Sequence, residues 1–545
     1  MIRLWAAWLL LAVAGAGDVP VEMQLFDPSP AIVGPGTAHP LGPTARAVMP
    51  WAAPGGLVPV VISGEHRSAQ PFTLHVSVGR DSAMMPLAGV KGPFRRTLLI
   101  PMADLSSYPQ VSVMEGGSLV TRMPLYHPTQ LETAFVVVGS TRTPVERWEG
   151  RTPTWSNPYG SRGSSGSRTT SPHTITADEL PDRWEAFPIG LLLLLSAEAD
   201  AKLSAEQRSA LRRWLVSGGR LVVEDQAQVG PWTVLGSAPT VYRSAIDLAS
   251  QSVPALRSLP EPQSLPGLTE FHGGLFAALA IAFTLAAGPG LWWLVWKRGR
   301  PALLLVAIPV LGLGTSVLFL GIDIANVGLG AQRTASDVVV LDATSGEGIQ
   351  ISEQTIFAAS APGRLAMGGT RWRSSALTQD PHYRRHRPSR GNALSVIHGD
   401  DEAIEGPLLP ARQVTWLGAE RLVQERGRML IVRAGDGYAA VNALGRAVRS
   451  GQWRDAAGEG WAIDRVAAGA TAAMRRSPSR QLSVDADLVS TVFSGPMRPA
   501  VTQRLGQPGI WLVELDEPLL PMPGPKARDL APRTSLAMGH AEVSP

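Results

Sequence analysis

Residues Gly273–Asp323 read GGLFAALAIAFTLAAGPGLWWLVWKRGRPALLLVAIPVLGLGTSVLFLGID. No charge falls between Gly273 and Trp296, and none between Pro301 and Ile322. A helix rises about 1.5 Å per residue, so roughly 20 apolar residues cross a bilayer core. A buried helix of a soluble protein is the competing reading for either span alone. Two such spans joined by Lys297-Arg298-Gly299-Arg300 predict an antiparallel transmembrane hairpin over 267–324. Short loops rich in Lys and Arg stay in the cytoplasm. Lys297, Arg298 and Arg300 are therefore the topology determinants, and both flanks lie outside. Trp292, Trp293 and Trp296 stand just before the basic loop, where an interfacial aromatic belt belongs. Gly288-Pro289-Gly290 predicts a kink. Asp323 marks the outer end of the second span.

The beginning of the chain agrees. Residues 1–16 read as a signal peptide: Arg3, an apolar run Leu4–Val13, then Ala14-Gly15-Ala16. Cleaved or kept as an anchor, it exports the chain beyond it. The expected location is the inner cell membrane, with both flanking portions on the extracytoplasmic (periplasmic) side and the lipid bilayer as a partner.

The chain has no cysteine, which excludes disulfides, thiolate metal sites and cysteine nucleophiles. Its 49 basic and 45 acidic residues leave a net charge of +4, no footing for a nucleic-acid partner. No motif calls for a cofactor. A length of 545 residues leaves room for three exported units besides the hairpin, each with its own core.

Residues 17–130 carry short alternating runs such as FTLHVSV at Phe72–Val78, and predict a β-sandwich. Residues 131–262 change to buried runs, Ala134–Gly139, Ile189–Leu195 and Arg220–Glu224, with a helix from Leu203 to Ser217. Ser204 and Gln207 have capping-box spacing, and Gly218-Gly219 stops the helix. Strand, helix and strand make a parallel crossover unit, hence a flavodoxin-like α/β domain. A Ser-, Pro- and Gly-rich loop is expected over 141–172. Residues 325–520 are again β-rich, with strands at Asp337–Leu341, Gly348–Ser352, Ser395–His398, Gln413–Leu417, Met429–Arg433, Gln481–Val484 and Ile510–Glu514, and a short helix over Ala443–Arg449. Residues 521–545, with Pro521, Pro523 and Pro525, read as a flexible tail. The expected fold class is thus multidomain α/β plus all-β.

The stretch Trp184–Glu224, with LLLLLSAEADAKLSAEQRSALRRWLVSGGRLVVE from Leu191, resembles the class I glutamine amidotransferase-like fold. The resemblance implies a strand, a loop and a helix ending in Gly-Gly before the next strand. It does not carry the family's activity, because the family's cysteine nucleophile is absent and no G-x-S-x-G elbow replaces it. The hairpin followed by DVVVLDATSGEG looks like a group of bacterial membrane proteins of uncharacterised role. Those place a sandwich and an amidotransferase-like domain before two helices and a β-rich domain after them. Some resemble auxiliary extracytoplasmic components of transport systems.

Ligands of open α/β sheets bind at the carboxyl ends of strands. Ser140, Glu224 and Asp225 are the candidate ligand cleft on that rule; capping the next loop is the plainer role for the two carboxylates. His382 and His386 stand four apart but are crowded by Arg384, Arg385 and Arg387, so an exposed basic loop fits better than a metal site. That loop suits anionic headgroups or an acidic partner. Asp400, Asp401 and Glu402 lack calcium-loop spacing and read as a solvated turn. His173 has no identifiable partner.

These observations point to a non-enzymatic, membrane-anchored extracytoplasmic binding or scaffolding protein with a membrane or envelope protein partner, an auxiliary component of a transport or envelope system. The alternative is an envelope hydrolase with carboxylate or serine chemistry. A pore is disfavoured, because two helices without an intramembrane charge line none unless the chain oligomerises.

Overall fold

The computed structural model describes residues 46–51, 56–101, 110–126, 135–139, 173–188, 191–235, 239–241, 265, 273–299, 302–327, 330–342, 346–375, 393–406, 408–477, 507–541 and 543–544. The signal peptide, the loop over 141–172, Ser140, Arg300, His382, His386 and the strand expected at Gln481–Val484 lie outside them.

The chain is strand-rich and mixed, with several sheets and few helices. A five-stranded sheet runs in the order Thr240–Val241, Arg220–Val223, Leu192–Leu195, Phe135–Val138, His173–Ile175, parallel throughout. The expected crossover helix spans Ala205–Val216, and a separate short helix, Ala197–Lys202, precedes it. Leu203 stays outside both, because Ser204 caps the second: its hydroxyl accepts from Gln207 N–H at 3.2 Å and Gln207 Oε1 accepts from Ser204 N–H at 2.9 Å. The helix ends in a Schellman motif, Gly219 N–H to Trp214 O and Gly218 N–H to Leu215 O. Gly218 has φ +102°, and a Cβ on Gly219 would lie 2.3 Å from the Trp214 ring, so the Gly-Gly pair is required twice over.

A ten-stranded sheet path gathers seven strands from 46–126 with three from beyond the hairpin: Arg364–Ala366, Ser395–Ile397 and Ala403–Glu405. Ser395–Ile397 lies parallel beside Asp81–Leu87, with Ser395 opposite Ser82 and their hydroxyls 3.2 Å apart. A second ten-stranded sheet is built wholly from residues after the hairpin, and a four-stranded sheet completes the chain.

The packing corrects the expectation that each exported unit has its own core. One cluster of buried side chains runs from Ala47 through Val136, Leu193 and Trp214 to Val340, Trp372, Trp416 and Met538. A second cluster lies among residues 339–541. The strand Ala331–Leu341 separates them: Val338 and Val340 point into the first cluster, Val339 and Leu341 into the second. Alternation with period two places a core on each face, which explains the unbroken apolar run. The strand Ile510–Leu515 is divided in the same way, with Ile510 and Leu512 on one face and Trp511 and Val513 on the other.

Two further expectations fail. The flexible tail contains the strand Thr534–His540, which pairs parallel with Ala331–Leu341 and antiparallel with Ile510–Leu515. It is fastened by Asp337, fully buried, whose Oδ1 accepts from Arg533 Nε and Ser535 Oγ, each at 2.7 Å. The helix expected over Ala443–Arg449 is a turn between the strands Gly437–Ala443 and Val448–Arg454. The buried Asn442 side chain organises it, accepting from Leu444 N–H at 3.0 Å and donating to Arg446 O at 2.8 Å, while Gly445 takes φ +74°.

The hairpin region consists of the helix Gly273–Leu285, a π-helical turn Ala286–Gly290 holding Pro289, the helix Leu291–Arg298 and the helix Leu303–Val327. Where a kink is expected the helix makes a π turn: proline withholds one N–H and the ladder reopens around it. The second helix continues past Asp323. The continuous stretch Ala277–Lys297 is long and apolar enough to cross a membrane. Among the described residues, the large hydrophobic side chains that stand exposed all lie on these helices except Val90 and Val543. Trp292 and Trp296 stack at 5.7 Å, and the Lys297 ammonium sits 5.0 Å from the centre of the Trp293 ring.

Candidate functional site

Glu224 and Asp225 follow the strand Arg220–Val223, as expected, but their oxygens serve the chain's own backbone. Glu224 Oε2 accepts from Ala197 N–H at 3.0 Å, at the start of the helix Ala197–Lys202. Asp225 Oδ1 accepts from Ala227 N–H at 2.9 Å and Gln228 N–H at 3.3 Å, capping the 3-10 turn Gln226–Gln228. Gly139, at the end of the neighbouring strand, is closed in as well: a Cβ there would lie 2.4 Å from Ser196 Oγ. The side chain of His173 is outside the described residues; its backbone begins the edge strand opposite Val136.

The Asp400–Glu402 turn is solvated only in part. Asp401 is exposed and reaches Arg364 at 2.8 Å. Glu402 instead receives both terminal nitrogens of Arg183, at 2.6 and 2.9 Å. Its Oε1 is 3.3 Å from Nδ1 of His398, whose ring is fully buried, and His398 Nε2 lies 2.9 Å from the Leu99 amide nitrogen. Burial raises the Glu402 carboxyl, but hydrogen bonds from His398 and Arg183 and the Arg183 charge outweigh it, holding the group at about 2. Burial also works against the Arg183 charge, yet Glu402 and Glu185 raise its pKa above the usual guanidinium range. Three parts of the chain meet here: a strand before the α/β segment, the segment itself and the strands past the hairpin.

Arg183 also lines an open cleft of about 580 Å³. One wall is the polar face of the helix Ala205–Val216, with Glu206, Ser209 and Arg213. The facing wall is Asp182–Glu185, and Gly369 and Leu422 close one side. That facing segment is held from several directions. Gln207 Nε2 donates to Ala177 O at 2.6 Å and Leu180 O at 2.9 Å, Trp51 Nε1 to Ala186 O at 2.8 Å, and Trp214 Nε1 to Pro188 O at 3.2 Å. Arg371 donates to Phe187 O and to Glu420, and its guanidinium lies 5.2 Å from the centre of the Trp184 ring.

Behind this lining, some polar atoms are closed off from solvent. Asp182 Oδ1, Trp184 Nε1 and Arg213 Nε are buried, and no partner for them is present among the described residues. Outside the lining, Nε and Nη2 of Arg95 are buried in the same way; burial pushes this guanidinium down and Asp182, Asp178 and Glu206 draw it back up. Native proteins leave few such atoms. Glu206 is held below its ordinary range by its own backbone N–H and the Ser204 hydroxyl. No sequence pattern marked this cleft, since Glu206 and Arg213 fall on what reads as a solvated helix face. Among the described residues no group of three His, Asp or Glu side chains is placed to hold a metal ion.

No protein-family model matches the chain, and no curated protein matches it either.

Proposed function

We propose that this chain is a non-enzymatic, membrane-anchored binding protein, one extracytoplasmic body held at the inner membrane by a two-helix hairpin. The observation that supports this most strongly is the pairing of Ser395–Ile397 with Asp81–Leu87. Strands on opposite faces of a bilayer cannot share a sheet, so the chain between them crosses an even number of times. Ala277–Lys297 supplies one crossing, and the 25-residue helix Leu303–Val327 is suited to the return. The residues 242–272 that precede them hold no comparable apolar run. Lys297, Arg298 and Arg300 between the helices favour an inside loop and an outside body.

The hydrolase reading has less behind it. Glu224 and Asp225 are taken up by backbone N–H groups, and Glu206 is held low where a general acid needs a raised carboxyl. The five-stranded parallel sheet with its capped helix supports an amidotransferase-like module without its nucleophile, kept as part of the shared body. A rigid extracytoplasmic body on a hairpin suits an auxiliary component of a transport or envelope system, with a membrane or envelope protein as partner. Reporter fusions test the topology: signals at residues 150 and 400 are expected outside and at Gly299 inside. An inside signal at 400 overturns the reading.

A further inference from the structure

We propose that the end of the second ten-stranded sheet nearest the hairpin is a docking rim for anionic phospholipid headgroups of the same bilayer. This rests on the membrane-anchored reading above and deepens it by naming the lipid chemistry and the residues that meet it. The chain itself brings the rim to the membrane. The helix Leu303–Val327 is longer than the roughly 20 residues a hydrocarbon core needs, and its last turn, beyond Asp323, is left for the headgroup layer. The strand Ala331–Leu341 begins four positions after Val327, so Ala331 lies within about 14 Å of the helix end whatever path the chain takes. Ala331 stands opposite Ala358 on one side and Ala527 on the other. Ala358 bridges in turn to Ala411, and Arg412 N–H donates to Ala358 O at 2.7 Å. Four stretches of chain therefore end or turn together at this rim.

Charge decides what the rim meets. Lys526 and Arg528 flank Ala527; both are exposed, and neither has an ion-pair partner among the described residues. Arg412 is exposed as well and takes φ +57°, a conformation that a long side chain seldom adopts. Asp529, the acid among the described residues of the rim, is taken up by Arg333 at 2.6 Å. Positive charge is left in excess. Elsewhere the exposed arginines of the same sheet are matched: Arg449 by Glu514 and Asp516, Arg475 by Asp464, Arg476 by Glu459. The unmatched cations are thus those next to the helix that leaves the membrane. Salt screens exposed charges beyond about 10 Å, so these cations act on what lies beside them, the bilayer surface. Each is worth about fivefold in attraction to an anionic surface. The hairpin holds them there permanently, so contacts that are weak singly act together. Such cations are compatible with an outside body, because the charge rule for topology governs short loops rather than folded portions.

The test uses the full-length chain reconstituted into nanodiscs of phosphatidylglycerol and phosphatidylcholine in equal amounts. Native mass spectrometry of the released chain counts the lipids it retains. Both lipids carry a phosphate and they differ in net charge, so the retention ratio reads the anionic headgroup. Phosphatidylglycerol is expected to be retained in preference. Lys526→Gln with Arg528→Gln is expected to lower that ratio by about fivefold or more, and to leave the unfolding temperature unchanged because neither side chain is paired. Lys297→Gln with Arg298→Gln, between the two helices and at the opposite leaflet, is expected to leave the contribution of the rim in place. Equal retention of the two lipids, or a preference indifferent to the rim variant whatever the loop variant does, overturns the proposal alone. A chain that stays out of the discs overturns the anchoring reading and the proposal with it.

Discussion

The strand end at Glu224–Asp225 and the turn at Asp400–Glu402 look alike in sequence: acidic residues just past a short apolar strand. They do different work. Asp225 caps the turn that follows it, and Glu224 accepts at the start of a helix 27 positions before it. Glu402 reaches Arg183, 219 positions away, and with His398 ties the α/β segment to strands beyond the hairpin. A carboxylate is placed by what lacks a partner nearby. Where free backbone N–H groups open a helix, the acid is consumed locally. Where a largely buried guanidinium has more donors than its neighbour Glu185 takes up, a distant acid becomes a long-range fastening.

The contrast can be broken from the long-range side first. Arg371 and Glu420 are buried partners on neighbouring strands beneath Phe187 and Trp184, within electrostatic reach of buried Arg373 and Glu353, so removing either unbalances a buried charge cluster. Arg371→Ala is expected to cost about 3–5 kcal/mol, read as a shifted denaturant midpoint. Its effect should spread to the Asp182–Glu185 wall and be seen there as faster amide exchange.

Glu402 has a smaller effect and a pH signature. Its folded pKa of about 2 lies below the ordinary 4.5, so the carboxylate stabilises the fold. That stability is fully present above about pH 4.5 and is lost as pH falls towards about 2, because the unfolded chain takes up the proton first. Glu402→Gln should lower the unfolding temperature at neutral pH and flatten its acid-side fall within that window. An unchanged acid slope would reduce the contact to surface decoration. Smallest is the local side: Asp225→Ala removes one cap and should cost roughly 1 kcal/mol, without altering amide exchange at Arg183 or His398. A comparable loss at both sites would erase the distinction.

Features encoded in neighbouring residues were legible. The Ser204–Gln207 box and the Gly218-Gly219 stop rest on contacts a few positions apart, and the buried strands around them show as unbroken apolar runs. The hairpin stood out because an apolar span of that length has few other uses. Pairing across the hairpin left no such trace: Ser395 opposite Ser82 is a contact over 313 positions, and neither strand's alternation names its neighbour. Thr534–His540 is hidden because its faces carry Ala537 and Gly539 beside Leu536 and Met538, a weak alternation after a proline-rich stretch. The cleft escaped notice for a related reason. Its polar face looks like any solvated helix until the segment 182–185 is brought opposite it.

The central claim, one body on the outer face built from both sides of the hairpin, meets its most direct test in a disulfide. The chain has no cysteine, so Ser82→Cys with Ser395→Cys introduces a single possible intramolecular pair. Its side chains start 3.2 Å apart. In intact cells the double variant is expected to oxidise without added reagent, as exported thiols do, and to shift on a non-reducing gel while either single variant does not. A pair that closes only when an oxidant is supplied would keep the shared sheet and reject the export; a pair that does not close even then would contradict the single body.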